Sequence, residues 1–184
     1  MIYNGVELNE VRKIRDLKDM LNSSAAIYGE KAAFLVKKQG NGSYIPVSYN
    51  QFKNDTDAFG TALIDLGLKD KSIAIIGENR YEWCVSYLSV VNGTGLVVPI
   101  DKELPSNEIF SLLERAEVSA IIYSDRKKET VEKALEALGR PIIVINMDAK
   151  EDTEKYLSMS VLMEKGRKLL QEGDKRFVEA EIDP

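Results

Sequence analysis

Apolar residues recur along the chain with two different spacings, one typical of helices and one of buried strands. From Asp16 to Tyr28 they recur every three or four residues, and Gly29 follows. This spacing predicts an amphipathic opening helix, because a glycine commonly ends a helix. The same spacing from Tyr49 to Leu66, followed by Gly67, predicts a second helix.

Two short β-rich segments lie between these helices. They are Ala33 to Val36 and Tyr44 to Val47, and the sequence Gln39-Gly40-Asn41-Gly42 separates them. The Asn-Gly pair tolerates the positive φ angles of tight turns. The segment therefore predicts a β-hairpin.

Four continuous apolar segments follow at a nearly constant interval. They begin 22 to 24 residues apart, which accommodates a strand and a crossover helix. Apolar and polar residues do not alternate within them, so both faces of the sheet should be covered, as in parallel sheets. The segments are Ser72 to Ile76, Leu96 to Ile100, Ala120 to Tyr123 and Ile142 to Ile145.

Helical spacing fills the intervals between the four segments. The first intervening helix carries Trp83, Tyr87 and Val91, which we predict to be largely buried. Asn79 is a candidate cap for this helix and Ser106 for the next one.

The predicted fold is α/β, a doubly wound, mostly parallel sheet with helices on both faces, preceded by a helix and a β-hairpin. We divide the chain into an N-terminal helical segment (1–30), an α/β core subdomain (31–146) and a segment of helix and exit (147–184). The last segment should contain a helix over Val161 to Leu170 and an extended exit over Phe177 to Pro184.

The amino-acid composition limits the classes of protein to which the chain can belong. The 184 residues are 44% hydrophobic and 30% charged, which suits a soluble globular domain. A net charge of -5 disfavours nucleic acid as a partner. The basic run 126–128 is flanked by acidic residues and is typical of a solvated helix start.

The chain is poor in cysteine and histidine, which act as nucleophiles, general bases or metal ligands in common enzymes. Cys84 is the single cysteine and the chain contains no histidine, which excludes an internal disulfide and the usual hydrolase triads. The first residues show neither a signal peptide nor a transmembrane helix, so the sequence favours a cytoplasmic protein and leaves a peripheral membrane contact open.

One glycine-containing segment invites a nucleotide-binding interpretation. Gly93 and Gly95 follow a predicted helix and precede a strand, whereas a dinucleotide fingerprint needs the reverse order. They are better explained as a tight helix-to-strand turn, and no phosphate-binding loop of the Gly-Lys-Ser/Thr type occurs.

Polar residues follow two of the predicted strands. Glu78, Asn79 and Arg80 lie just beyond the first strand, at the end where α/β folds bind ligands. They can serve a ligand, or they can start the next helix. Asp101, Lys102 and Glu103 follow the second strand in the same position, where they form a loop that can line a cleft or remain solvated.

The order of these segments resembles that of the adenylate-forming enzymes. The resemblance rests on 49–52 (YNQF), 67–71 (GLKDK), 77–83 (GENRYEW) and 93–101 (GTGLVVPID), in which Lys71 departs from the Gly-Asp pair of the family pattern. The stretch 77–105 is more specifically similar to bacterial long-chain fatty acid CoA ligases.

The resemblance implies a two-step reaction. A fatty acid and ATP give an acyl-adenylate and pyrophosphate, usually with magnesium, and CoA then displaces AMP. The family's phosphate loop, acidic magnesium ligand, ribose-binding Asp and catalytic Lys have no counterpart in this sequence, so no catalytic or metal residue is assigned and the chain alone should be inactive.

The loop after the Pro-containing strand can lie near CoA in that family. This position implies Lys102, Glu103 and Leu104 as cofactor contacts. The chain is then expected to be the N-terminal scaffold of a long-chain fatty acid CoA ligase. A free-standing α/β binding or interaction module is the alternative that remains open.

Overall fold

The computed structural model describes residues 12–37 and 42–182. The helices are α1 (Leu17–Tyr28), α2 (Tyr49–Asp65), α3 (Tyr81–Ser89), α4 (Ser106–Arg115), α5 (Lys128–Leu138) and α6 (Met159–Gln171). The strands are β1 (Ala32–Lys37), β2 (Tyr44–Ser48), β3 (Ser72–Ile76), β4 (Leu96–Pro99), β5 (Ala120–Tyr123), β6 (Ile143–Asn146) and β7 (Leu157–Ser158).

Five of the strands form one parallel sheet in the order β4-β3-β5-β6-β7. Ile73 of β3 faces Val97 on one side and Ala120 on the other. β1 and β2 pair antiparallel as a separate hairpin, whose turn at 39–42 lies largely outside the described residues. The parallel α/β sheet, the opening helix and the two hairpin strands are confirmed, whereas β7 is an additional strand.

Helices cover both faces of the sheet. One buried cluster joins α2, α3 and α6 to Ile73 and Ile75 of β3, and the other joins α4 and α5 to Ala74 and Ile76. Alternate residues of one strand thus enter opposite cores, which is why the strand shows no polar alternation. Both layers of helices are needed to bury it.

The edge strand β4 ends in a proline that suits its position. Leu96 N–H donates to the Lys71 carbonyl and Ile100 N–H to the Ile75 carbonyl, so the ladder uses every second residue of β4. Pro99 falls at an outward position between them. Since proline lacks an N–H, it costs the sheet no bond there and blunts the open edge.

The glycine pair after α3 forms a close turn, as predicted. Residues Val90–Thr94 make a π-helical turn, within which Gly93 has a φ of 148°. A Cβ on Gly95 would lie 2.2 Å from the Lys71 carbonyl oxygen. Gly95 therefore lets the start of β4 approach the backbone just before β3, and Gly93 lies against Phe177 and Ala180 in the segment after α6.

Several local predictions need correction. Arg80 rather than Asn79 precedes α3, and Pro105 rather than Ser106 precedes α4, in both cases without a side-chain cap. The local backbone conformation decides which residue takes the cap position. The spacing of apolar residues alone locates the start of a helix only to within one or two residues.

The segment after α6 is a turn and not the predicted extended exit. Glu179 N–H bonds to the Lys175 carbonyl and Ala180 N–H to the Phe177 carbonyl. The turn directs the Phe177 ring into the protein, where the side chain is 1% exposed. Burial of this ring outweighs the tendency of a polar segment to extend.

Trp83 and Tyr87 of α3 and Val91 of the turn that follows it are only partly buried, so that prediction is confirmed in part. The rings of Trp83 and Tyr87 stack with centroids 5.3 Å apart and planes inclined by 15°. Each side chain packs against the first cluster with one side and meets solvent with the other.

Candidate functional site at the carboxyl edge of the sheet

The chain changes direction in the sheet between β3 and β5. From β3 it passes through α3 to β4 on one side, and from β4 it returns through α4 to β5 on the other side. The loops that follow β3 and β5 therefore leave toward opposite faces. In open α/β sheets, ligands bind in the crevice that such a divergence creates at the carboxyl ends of the strands.

Gly77 and Ser124 close the base of this crevice. A Cβ on Gly77 would lie 3.3 Å from Ser124 Oγ and 3.7 Å from Met147 Sδ. Ser124 is fully buried, and its hydroxyl has no partner among the described residues. The loops after β3, β5 and β6 therefore pack closely at their roots.

Asn146 at the end of β6 connects two of these loops. Its side-chain NH₂ donates to Asp125 Oδ1 at 2.6 Å, and its Oδ1 accepts from the N–H groups of Asp148 and Ala149 at 2.7 and 2.9 Å. Asn146 is fully buried. A buried amide with these bonds fixes the two loops against each other.

Arg80 extends the same network to the loop after β3. Its Nη1 donates to Asp148 Oδ1 and its Nε to Glu82 Oε2, each at 2.6 Å. Asp148 Oδ2 in turn accepts the Asp125 N–H at 2.9 Å. Three neighbouring strand ends are thus held together by charge-assisted hydrogen bonds.

These bonds set the ionisation of both partners. Burial opposes the charge of Arg80, but the bonds to Glu82 and Asp148 outweigh it and raise the pKa of Arg80. Burial also disfavours ionised Asp148, yet the Asp125 N–H and Arg80 together lower the pKa of Asp148. Arg80 is therefore a fully charged but internally paired cation.

The predicted cofactor contacts lie in the loop after β4. Lys102 Nζ donates to Glu103 Oε1 at 2.7 Å, and both side chains are exposed. This bond raises the pKa of Lys102 and lowers that of Glu103. Leu104 instead packs against the second core cluster. Lys102 and Glu103 thus face solvent near the crevice, and Leu104 does not share their environment.

The residues of this edge do not form a triphosphate or magnesium site by themselves. Arg80 after β3 and Lys102 after β4 are each engaged by carboxylates, and none of the described loops at this edge is a glycine-rich loop with converging N–H groups. Residues 12–37 and 42–182 contain no group of His, Cys, Asp or Glu side chains suited to a metal ion. They also contain no helix long and apolar enough to cross a membrane.

An open depression of about 490 Å³ lies at the opposite edge of the sheet, between Asp70, Lys71, Arg115 and Glu117. It sits at the amino ends of the strands, where α/β folds seldom bind ligands. We therefore place the candidate site at the carboxyl edge, where the polar network is.

A second polar cluster anchors the start of α3 from behind. Tyr81 Oη donates to Asp55 Oδ2 at 2.8 Å, and Arg167 Nη2 donates to Asp55 Oδ1 at 2.6 Å. Burial and the adjacent Asp55 raise the pKa of Tyr81. The cluster joins α2, α3 and α6 beside the GENRYEW segment.

Sequence reasoning singled out Arg80 but missed its partners. Asn146 and Asp148 directly follow a predicted strand, and that position was the available signal. Asp55 is a polar residue within a helix whose face is buried, which is a weaker signal. Nothing in the local sequence indicates that Arg167, 112 positions away, pairs with it.

Known proteins resemble this chain in sequence and in fold. Rat long-chain-fatty-acid–CoA ligase 5 is 29% identical over 97 residues, which are 51% of this chain and 14% of the rat protein. The D-alanine–D-alanyl carrier protein ligase of Streptococcus pneumoniae strain 70585 is 29% identical over 76 residues, 41% of this chain and 15% of that protein.

The crystal structure of the anthranilate CoA ligase AuaEII in complex with anthranoyl-AMP has the same fold over 82% of this chain and 27% of its own, with a TM-score of 0.69 and 17% identity. The chain thus corresponds to about a seventh of the two curated relatives and about a quarter of this structure. Residues 21–179 match the AMP-binding enzyme family. Because this match covers most of the sequence, the chain belongs to the AMP-binding enzymes, which are adenylate-forming ligases.

Proposed function

We propose that the chain is the N-terminal scaffold of an ATP-dependent long-chain fatty acid CoA ligase. The overall reaction of the longer enzyme joins a fatty acid to CoA with conversion of ATP to AMP and pyrophosphate, by way of an acyl-adenylate. Support for the acyl specificity comes from the 77–105 segment and from the similarity to rat ligase 5.

The observation that carries the scaffold role is the bonded carboxyl edge of the sheet. Arg80, Asn146 and Asp148 hold three adjacent loops in one arrangement before any ligand arrives. A fixed edge of this kind contributes a wall to a cleft without supplying reacting groups, because preorganised contacts do not have to be ordered again on binding. The phosphate and metal groups must then come from residues beyond this chain.

Within this scaffold we propose that Lys102 and Glu103 contact the CoA nucleotide. Their side chains are exposed beside the crevice, and the pair carries a single mutual bond that a ligand phosphate can replace at Lys102. Such an exposed pair is held weakly, so exchange of its partner costs little.

The test is to extend the chain with the downstream part of its parent gene and to measure pyrophosphate release. We expect release with a long-chain fatty acid and much less with D-alanine or anthranilate. Pyrophosphate release with D-alanine or anthranilate but not with a fatty acid would support the assignment as a ligase and reject a fatty acid as its substrate. A parent gene that ends with this chain would favour the interaction module instead.

The CoA contact is tested in the same extended protein. Lys102→Ala should raise the KM for CoA and leave adenylate formation unchanged, since only the second step uses CoA. Lys133→Ala, on the exposed side of α5, is the matched control for loss of a surface charge. An unchanged KM for CoA in Lys102→Ala would reject the contact but not the ligase.

A further inference from the structure

Exposed large apolar side chains concentrate near the beginning of the described chain. Seven of the eight lie between residues 14 and 45, and the eighth is Leu96 on β4. Three belong to the hairpin: Leu35 is 65% exposed, Tyr44 61% and Ile45 48%. Single exposed apolar residues are ordinary on protein surfaces, but a local concentration indicates a binding surface.

The hairpin presents these residues on both of its faces. Leu35 pairs with Pro46 and Lys37 with Tyr44, so their side chains share one face, whereas Ile45 lies on the other. The root of the hairpin is different, because the Phe34 ring packs 4.8 Å from that of Phe52. The distal half therefore has apolar groups on two sides.

The end of α1 lies at the root of the hairpin, where the rings of Tyr28 and Tyr49 have their centroids 4.9 Å apart. Ile27 is 57% exposed and Tyr28 40%. Lys31 Nζ lies 5.8 Å from the centre of the Tyr28 ring, which places a charged group beside the aromatic one. The hairpin patch is defined as Ile27, Tyr28, Leu35, Tyr44 and Ile45, together with the two exposed lysines Lys31 and Lys37.

Charge distinguishes this region from the rest of the protein. Residues 12–48 contain seven Lys and Arg against three Asp and Glu, a net charge of +4 in a chain whose total is -5. All other residues together are therefore strongly acidic. The stretch 12–48, which contains the hairpin patch, therefore carries a net positive charge of its own, whereas Glu7 and Glu10 precede it.

We propose that the hairpin patch docks on the surface of an anionic lipid bilayer. Apolar side chains with tyrosine and lysine in one patch match the boundary between acyl chains and negatively charged headgroups. The described part of the distal hairpin can insert with both faces, because Leu35 and Tyr44 on one face and Ile45 on the other are exposed among the residues that the structure describes. Each lysine near an anionic surface strengthens binding about fivefold. The proposal is independent of the ligase activity proposed above.

Vesicle flotation of the 184-residue chain tests the proposal. We expect the chain to float with vesicles of phosphatidylcholine and phosphatidylglycerol, to bind pure phosphatidylcholine more weakly, and to be released from the anionic vesicles by high salt. Lys31→Glu with Lys37→Glu should abolish the preference for anionic vesicles. Leu35→Glu with Tyr44→Glu should weaken partitioning to both compositions by about tenfold or more.

Leu96→Glu is the matched control, because Leu96 is 63% exposed but lies on β4 and outside the patch. Its partitioning should stay within about twofold of the wild type. Circular dichroism verifies that each variant is folded. Absence of the wild type from floated vesicles of either composition would overturn the proposal, as would equal losses in Leu96→Glu and the hairpin variant. A dimer that Leu35→Glu disperses, with no vesicle binding, would assign the patch to a second copy of the chain.

Discussion

Gly166 on α6 lies directly against the backbone carbonyl of Ala58 on α2. A Cβ built on Gly166 would approach the Ala58 carbonyl oxygen to 1.8 Å. The two helices therefore cross at a distance that only glycine permits, and α2 is buried at this crossing. Such a contact fixes the position of α6 more tightly than apolar side chains would.

Gly166→Ala should consequently destabilise the protein, although alanine is the better helix former by about 1 kcal/mol. We expect a loss of about 2 to 3 kcal/mol, because α6 must move away from α2 to admit the methyl group. The measurement is urea unfolding followed by circular dichroism.

Gly173→Ala is the control for this substitution. Gly173 has a φ of 95°, but no atom lies within 4 Å of the position its Cβ would occupy. Its replacement should cost about 1 kcal/mol from backbone strain alone. If Gly166→Ala were no more costly than Gly173→Ala, the close helix crossing would be wrong.

The sheet was predictable because each strand carries its own signal. Ser72–Ile76 and Ala120–Tyr123 match the predicted ranges, and Ile143–Asn146 begins one residue later than predicted. The two residues of β7 are too few to show a spacing of any kind. Each of these longer buried parallel strands is a continuous apolar run, so each could be predicted from its own residues alone.

The candidate site was less predictable because its residues act in pairs across the fold. Arg80 was readable as a polar residue after a strand, but its partner Asp148 is 68 positions away. A single sequence contains no signal that links two such positions. The pairing decides whether Arg80 is free for a ligand, so the sequence leaves that question open and the structure answers it.

Loss of the Asn146 side chain should loosen the carboxyl edge of the sheet. Asn146→Ala removes the acceptor of the Asp148 and Ala149 N–H groups and the donor to Asp125. We expect a destabilisation of about 2 to 3 kcal/mol, because buried polar groups lose their partners. Hydrogen exchange should speed up at 147–149 before it does in α5, and uniform acceleration would contradict a local role.

The Arg80–Asp148 pair should make stability depend on pH in the acid range. The folded pKa of Asp148 is lowered from 3.8, so this carboxylate stabilises the fold above that value. The contribution disappears as the pH falls through the lower, folded pKa. At neutral pH, Asp148→Asn should cost about 1 to 2 kcal/mol, and this cost should shrink toward zero in strong acid.

Urea unfolding of wild type and Asp148→Asn across this pH range measures the difference. Asp70→Asn is the control, because Asp70 is 78% exposed and its one ion pair among the described residues is with exposed Lys69. Its effect on the free energy of unfolding should be small, because an exposed ion pair contributes little. A constant cost of Asp148→Asn at every pH would mean that the ion pair does not stabilise the fold.

Asp55 should be the most sensitive carboxylate to the loss of a partner. Asp55 is 6% exposed and accepts hydrogen bonds from Arg167 and from the Tyr81 hydroxyl. Arg167→Met removes the first of these donors and leaves the second. We expect a cost of about 2 kcal/mol, and a coupling of about 1 to 2 kcal/mol in a double-mutant cycle with Asp55→Asn. Lys165→Met, which breaks a more exposed pair with Asp65 on the same two helices, should cost under about 1 kcal/mol.

The isolated chain should not bind ATP tightly. A triphosphate needs converging cations or N–H donors, but Arg80 already donates to Glu82 and Asp148, and Lys102 donates to Glu103. A ligand must therefore break existing bonds before it gains new ones, and the acidic chain repels it at longer range. Calorimetry with ATP and magnesium should show no saturable binding below about millimolar.

The paired state of Arg80 supplies a sharper version of this measurement. Asp148→Ala frees one side of the guanidinium and removes a negative charge, so the affinity for ATP should rise by about tenfold at most if the internal pair is what blocks binding. Asp70→Ala removes a charge at the opposite edge and corrects for the change in net charge. Equal gains in the two variants would show that the overall charge, and not the Arg80 pair, limits binding. Micromolar affinity in the wild type would mean that this chain contains a nucleotide site of its own.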